Sequence, residues 1–335
     1  MCVFRFHFGE RQDGGGAERA SNREATADRP GRVGDGEEAA GKPPEWIFGE
    51  CIPWTDSYTE EHVSNDAVRW TAEVLDDGHV LERVALVRMP ELHAENMDIA
   101  SGYRVWEGAR DLATYVGSAA FATEYAALVD TDRQSAVRAI EIGCGHALAG
   151  VRLAQRSEWQ RAAGATVDFH DYNRRVITEL TQRNVWRNAV RRSTAPSPMS
   201  LHRHHFFAGD WRGLPQAVAA AYRTSNAHRY DLVLASETAY TAAVLEACLR
   251  VCRQLLRQPH GVALLATKTC YFGLDGGSWP LHTAVRQLGG RSRCVWRSAR
   301  DDRSYQREVI AVQFEDADGH SARSSSLPRE MSTSV

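Results

Sequence analysis

Apolar positions along the chain fall into distinct regimes. Residues 9–44 hold almost no large apolar side chain between their glycines, alanines, glutamates and arginines. A segment with so little to bury cannot offset the entropy of ordering, so disorder is expected over 1–44. The stretch 316–335 reads the same way. From residue 137 onward short apolar runs recur, and strands are predicted at 137–142, 166–170, 202–207, 230–235 and 261–267, each followed by a helical stretch or a loop. Two further strand-like runs, 293–297 and 307–314, close the series. Strands alternating with helices predict an α/β fold with a doubly wound, mostly parallel sheet. Upstream, residues 103–129 have helical spacing and no proline, and 79–89 reads as a strand after the turn signal Asp77-Gly78. The expected organisation is an accessory region over 45–98, then one folded domain over 99–315.

Composition narrows the classes. The formal net charge is −3, so no overall basic field points to nucleic acid as a partner. No apolar run approaches the length a membrane helix requires. The first residues, MCVFRFHFGE, lack the apolar core of a secretory signal, and a reducing compartment is expected for the cysteines. There are 7 of these, an odd number with no CxxC pair, which is not a disulfide framework. Cys248 and Cys252, one helical turn apart, read as core. His202, His204 and His205 fall in one histidine-rich stretch, but no acid or cysteine follows at ligand spacing, so no metal site is expected. Of the 40 basic residues only Lys42 and Lys268 are lysine.

The chemistry concentrates where predicted strands end. EIGCGHALAG, 141–150, places an acid and two spaced glycines where the first strand turns into a helix. In open α/β sheets that turn is where ligands bind. A P-loop would need Gly-Lys-[Ser/Thr], and the only lysines are elsewhere; a nicotinamide fingerprint would need a third glycine where Leu148 stands. What remains is the [Asp/Glu]-x-Gly-x-Gly pattern of S-adenosylmethionine enzymes, in which Gly143 and Gly145 admit the cofactor to the backbone and Glu141 holds its amino group, directly or through water. The second strand ends in Asp171, placed either to accept the ribose hydroxyls or to cap the helix that begins near Asn173. The third ends in Asp210 and Trp211, an adenine site or simply a core-edge aromatic. The fourth ends in Ser236, Glu237, Thr238 and Tyr240, more polar groups than a solvated turn requires. The fifth leads into Lys268, Tyr271, Phe272 and a glycine-rich loop.

With these motifs together, residues 99–314 resemble the histidine protein methyltransferases, a branch of the seven-strand S-adenosylmethionine-dependent superfamily. The resemblance rests on GYRVWEGARDLATYV before the first strand, EIGCGHALAG, HDYN at 170–173, GDW at 209–211, SETAY at 236–240 and TKTCYFGLDGG at 267–277. It implies a seven-strand Rossmann-like methyltransferase sheet. It also implies a cofactor site from Val105, Trp106, Glu107, Gly108, Ala109, Glu141, Gly143, Gly145, His170, Asp171, Tyr172, Gly209, Asp210, Trp211 and Ser236. Its known members act on a histidine of a large-subunit ribosomal protein, which implies a protein substrate of that kind and a monomer working in the cytoplasm or nucleus. Ala147 stands where the family prefers glycine, at a position expected to limit only helix–strand packing.

A neutral imidazole already carries the lone pair that attacks a sulfonium methyl, so alignment matters more than a strong base. Glu237 and Tyr240 are the expected catalytic residues, holding the other ring nitrogen, and Trp106 or Tyr172 is expected near the sulfonium. A neighbouring branch of lysine methyltransferases, with Asp-x-x-Tyr where this chain has Glu237 to Tyr240, is the alternative enzyme; a scaffold that binds without turnover is the alternative class.

Overall fold

The computed structural model describes residues 50–52, 69–85, 101–129, 136–190, 204–223, 230–299 and 305–315. The segments expected to be disordered, and His202, lie outside these residues. Ten strands are described: β1 (Glu50–Ile52), β2 (Arg69–Val74), β3 (Val80–Ala85), β4 (Arg138–Ile142), β5 (Thr166–Asp171), β6 (Phe206–Ala208), β7 (Leu232–Ser236), β8 (Val262–Lys268), β9 (Gly290–Arg297) and β10 (Arg307–Phe314). β2 and β3 form a separate hairpin; the rest make one sheet in the order β1-β6-β5-β4-β7-β8-β10-β9. β6, β5, β4, β7 and β8 are mutually parallel, while β10, β9 and β1 run antiparallel to their neighbours. The seven expected strands are all present. The eighth, β1, comes from the accessory region and had no sequence signal longer than three residues.

Both faces of the sheet are covered, which is why its central strands are almost continuously apolar. Ala139, Val167, Phe169, Leu232 and Leu234 point into one core, shared with the helices Glu107–Gly117 and Leu148–Ala154. Ile140, Ile142, Phe207, Val233 and Ala235 point into the other, against Leu214–Tyr222 and Ala242–Leu255. Cys248 and Cys252 lie in this second core as free thiols. No helix among the described residues is long and apolar enough to cross a membrane.

The run 103–129 is not one helix. Gly117 and Ser118 break it, and Ser118 in extended backbone ends Glu107–Gly117 and begins Ala119–Glu124, its Oγ accepting from Phe121 N at 3.1 Å. The helix after β5, residues 174–190, is α-helical over Arg174–Val176 and Gln182–Val185 but π-helical over Ile177–Thr181 and Trp186–Val190. The chain leaves β4 to build β5 and β6 on one side, then returns to place β7 on the other. The carboxyl ends of β4 and β7 therefore face a topological switch point, where such sheets bind ligands.

Candidate active site

The turn after β4 is built on left-handed backbone. Gly143 has φ 62° and Gly145 φ 50°, conformations glycine adopts without strain. Ala147 has φ 60° as well, so its position demands left-handed backbone rather than only limiting helix–strand packing, and here a side chain bears that strain. Asp171, from the end of β5, fastens the turn: one carboxylate oxygen accepts from Gly145 N at 2.9 Å, the other from Asn173 N at 3.0 Å. The helix cap is Asn173, whose side chain accepts from Arg175 N, so Asp171 is not the cap. Burial raises the Asp171 pKa against the pull of these N–H groups. Thr181, on the π-helical segment, donates to Gly145 O at 2.7 Å.

Glu141, the next-to-last residue of β4, is buried. One oxygen accepts from Gly150 N at 2.7 Å, in the first turn of Leu148–Ala154, while Oε1 is buried without a hydrogen-bond partner. Burial pushes its pKa up to about 8. The segment before Trp106 lies across the turn. A Cβ on Gly145 would meet Gly102 O at 3.0 Å, and His146 Nε2 sits 2.9 Å from Tyr103 O. Gly102 and Tyr103 belong to the site but were missed. Their signal was the glycine itself, in a stretch that departs from the family pattern.

At the switch point three distant segments meet. Glu237, at the end of β7, holds φ 55°, an uncommon conformation for a residue with a side chain and one that clusters at functional sites. Its Oε1 accepts from Gly108 N at 3.1 Å, and Gly108 stands in the first turn of a helix that has no side-chain cap of its own. Its Oε2 accepts from Tyr271 OH at 2.6 Å. Burial raises the Glu237 pKa, and the Tyr271 hydroxyl and nearby Lys268 oppose that shift. Lys268 Nζ lies 3.5 Å from Glu107 Oε2. Burial works against the charge on Glu107, but its own backbone N–H and Lys268 outweigh it and hold the carboxyl below its usual range. The loop beyond Tyr271 lies on the β7 loop: Gly277 N donates to Ala239 O at 2.8 Å, and a Cβ on Gly276 would come within 2.1 Å of that same oxygen. Tyr240 stands beside Tyr271, ring centroids 6.5 Å apart.

The remaining expected residues are spread around this centre. Val105 and Ala109 pack on the first core, and the Trp106 ring carries Arg104 at 4.5 Å. Tyr172 is 49% exposed at the end of β5. Ser236 is half-buried. His170 is fully buried, its Nε2 3.0 Å from Gly209 O beyond the end of β6, with a pKa lowered to about 4 by burial. Asp210 commits both oxygens to Arg212, at 2.9 Å each. Burial disfavours its charge, yet Arg212 outweighs that and holds the carboxyl low, so an adenine amine would have to compete with a guanidinium. Trp211 packs on the second core. His204 and His205 both contact β5: His204 Nδ1 lies 2.6 Å from Val167 O, and the His205 backbone N–H donates to Asp168 at 2.8 Å.

A glycine turn on left-handed backbone, an acid at the end of each of the next two parallel strands and the buried, unpartnered Oε1 of Glu141 fit S-adenosylmethionine, the cofactor expected at this turn. Residues 87–271 match the family model described as lysine methyltransferase, and the chain belongs to that family. Among curated relatives it is 28% identical to a histidine protein methyltransferase 1 homolog of Dictyostelium discoideum, over 63% of this chain and 57% of that one. It is also 28% identical to the Bos taurus homolog, over 53% of this chain and 46% of that one. The chain thus spans about half the length of the curated relatives it matches. A magnesium protoporphyrin IX methyltransferase from Synechocystis PCC 6803 overlays with TM-score 0.41 and 15% identity, covering 66% of this chain and 89% of that one. At that level the strand order, not the overlay, carries the fold assignment.

Proposed function

We propose that this chain transfers a methyl group from S-adenosylmethionine to a histidine imidazole of a large-subunit ribosomal protein, acting as a monomer in the cytoplasm or nucleus. The observation that carries it is the junction of Gly108, Glu237 and Tyr271 at the switch point. When bound, the cofactor supplies an electrophilic methyl on a sulfonium. The Gly143–Gly145 turn would hold its methionine end and Asp171 the ribose. Each Asp171 oxygen already accepts one N–H but keeps a second lone pair for a hydroxyl. An incoming imidazole attacks with the lone pair of one nitrogen, and its other N–H needs an acceptor. Glu237 offers one, with Tyr240 beside its partner Tyr271, and its negative charge offsets the positive charge that develops on the ring. Exposed Phe272 and Trp279, at 83% and 77%, flank this loop and supply aromatic area that a protein substrate can cover.

The names of the relatives favour histidine, while the description of the matched family favours lysine. Chemistry separates the two. A lysine must first lose a proton held with a pKa of about 10.4, and an imidazole needs only orientation. Incubating the protein with methyl-labelled cofactor and a ribosomal extract, then hydrolysing the product, is expected to give methylhistidine; methyl-lysine would overturn the proposal. Glu237→Gln is expected to lower turnover by roughly 10²–10³ with cofactor affinity within a few-fold of the original. Full activity in that variant would remove Glu237 from the chemistry.

A further inference from the structure

The accessory hairpin has no part in the chemistry above, yet it is wired to the cofactor turn through one buried amide. Asn184, 1% exposed, uses its side chain in both directions. Its Oδ1 accepts from Val84 N on β3 at 2.9 Å. Its Nδ2 donates to His146 Nδ1 at 3.2 Å and to His146 O at 3.1 Å. His146 stands between Gly145 and Ala147, both left-handed, and its Nε2–H donates to Tyr103 O at 2.9 Å. With the proton on Nε2, Nδ1 is left as the acceptor that Asn184 fills, so the ring is held neutral in one tautomer.

A second asparagine one turn on provides an internal contrast. Asn188 Oδ1 accepts from Glu82 N at 2.9 Å and its Nδ2 donates to Glu82 O at 2.6 Å. Asn188 also donates to Asn184 O at 2.7 Å, so it holds the same hairpin to the same helix without touching the turn among the described residues. Asn184 is the member of the pair that bridges the two.

We infer that Asn184 is a positioning residue for cofactor binding, locking the turn from Gly143 to Ala147 and the covering segment at Gly102–Tyr103 in one conformation, with the accessory hairpin as its anchor. The turn carries a non-glycine residue at φ 60°; Asp171 and Thr181 hold it at Gly145, and Asn184 with the Tyr103 carbonyl holds it at His146. Losing the buried donor leaves His146 Nδ1 and its carbonyl unpaired, which favours other conformations of the turn. The inference rests on the cofactor assignment for its affinity readout, while amide exchange in the cofactor-free protein reports the turn by itself.

The test compares Asn184→Ala, Asn184→Asp and Asn188→Ala at pH 8 by hydrogen–deuterium exchange and by calorimetric titration with S-adenosylmethionine. Asn184→Asp keeps an acceptor for Val84 N but removes the donor to His146, and it serves where the alanine variant fails to fold. Amides over 143–147 are expected to exchange about tenfold faster in both Asn184 variants, with cofactor Kd raised about tenfold and kcat at saturating cofactor nearly unchanged. In Asn188→Ala the melting temperature is expected to fall while turn exchange and Kd stay at wild-type values. Wild-type exchange and affinity in Asn184→Asp, or equal changes in the Asn184 and Asn188 variants, would overturn the inference. Failure of the unaltered protein to bind cofactor would instead overturn the cofactor assignment, and the exchange data would still decide whether Asn184 holds the turn.

Discussion

At the scale of the residue, buried carboxylates divide the work of the strand ends. Asp171 ties the glycine turn to β5 and keeps lone pairs at its rim, whereas Glu141 is turned inward to the helix Leu148–Ala154. Asp171→Ala is expected to weaken S-adenosylmethionine binding by roughly 10–100-fold in calorimetry, since a charge-assisted acceptor is lost together with the anchor of Gly145 N. Unchanged affinity with the fold intact would remove Asp171 from the ribose. For Glu141 the folded pKa is raised, to about 8 from 4.5, so between these values the native state binds more protons than the unfolded chain. Its contribution is fully present below pH 4.5 and is lost as pH rises through 8. His146 and His170, both lowered to about 4, act with the opposite sign, stability rising from pH 4 to 6.5. The difference between wild type and Glu141→Gln isolates the carboxyl. The melting temperature of wild type is expected to fall relative to the variant as pH goes from 5 to 8. A constant difference would mean Glu141 is already ionised at pH 5.

At the scale of the element, legibility followed the length of the signal. The central strands were readable because burial on both faces makes each a continuous apolar run; parallel β4 and antiparallel β10 were placed to within a residue. β6, expected over 202–207, is described at Phe206–Ala208, and β1 had no expectation at all, since a run of three residues has no period. The break at Ser118 was missed because Gly117-Ser118 sits inside a stretch of otherwise helical spacing. Most of the site was legible as residues but not as connections. Glu237, Lys268 and Tyr271 could each be singled out, yet that Glu237 would cap the helix of Trp106 and Glu107 was invisible, as a capping partner 129 residues away leaves no local pattern. The loop 269–277 gives this an experimental form. Gly276 passes so close to the 239–240 backbone that a methyl group cannot be accommodated by side-chain movement. Gly276→Ala is expected to shift the loop, moving Tyr271 away from Glu237 and lowering turnover on the order of 10²-fold, with cofactor Kd nearly unchanged. Loss of cofactor binding instead would mean that the loop belongs to the cofactor site.

At the scale of the whole molecule, the accessory region joins the domain at two separate places. The β2–β3 hairpin lies on the helix 174–190, and β1 closes the sheet beside β6, with Cys51 opposite Phe207 and Ile52 opposite Phe206. Ile52 is 4% exposed and part of the first core, so this small strand both buries an apolar side chain and covers the last parallel edge. An edge of Phe206, Phe207 and Ala208 left bare would offer its backbone to any other chain. Two truncations separate this contribution from that of the residues before it. Removing 1–42 takes away a segment with few large apolar groups, and melting temperature and cofactor affinity are expected to hold. Removing 1–53 takes β1 as well. Loss of one buried isoleucine, about 2 kcal/mol, is expected to lower the melting temperature by roughly 4–8 °C. Concentration-dependent aggregation should accompany it as β6 becomes the edge, measured by scanning calorimetry and light scattering. If both truncations melt alike, β1 adds nothing measurable to the sheet; if the shorter truncation already destabilises the protein, residues before Glu50 also contribute to the core.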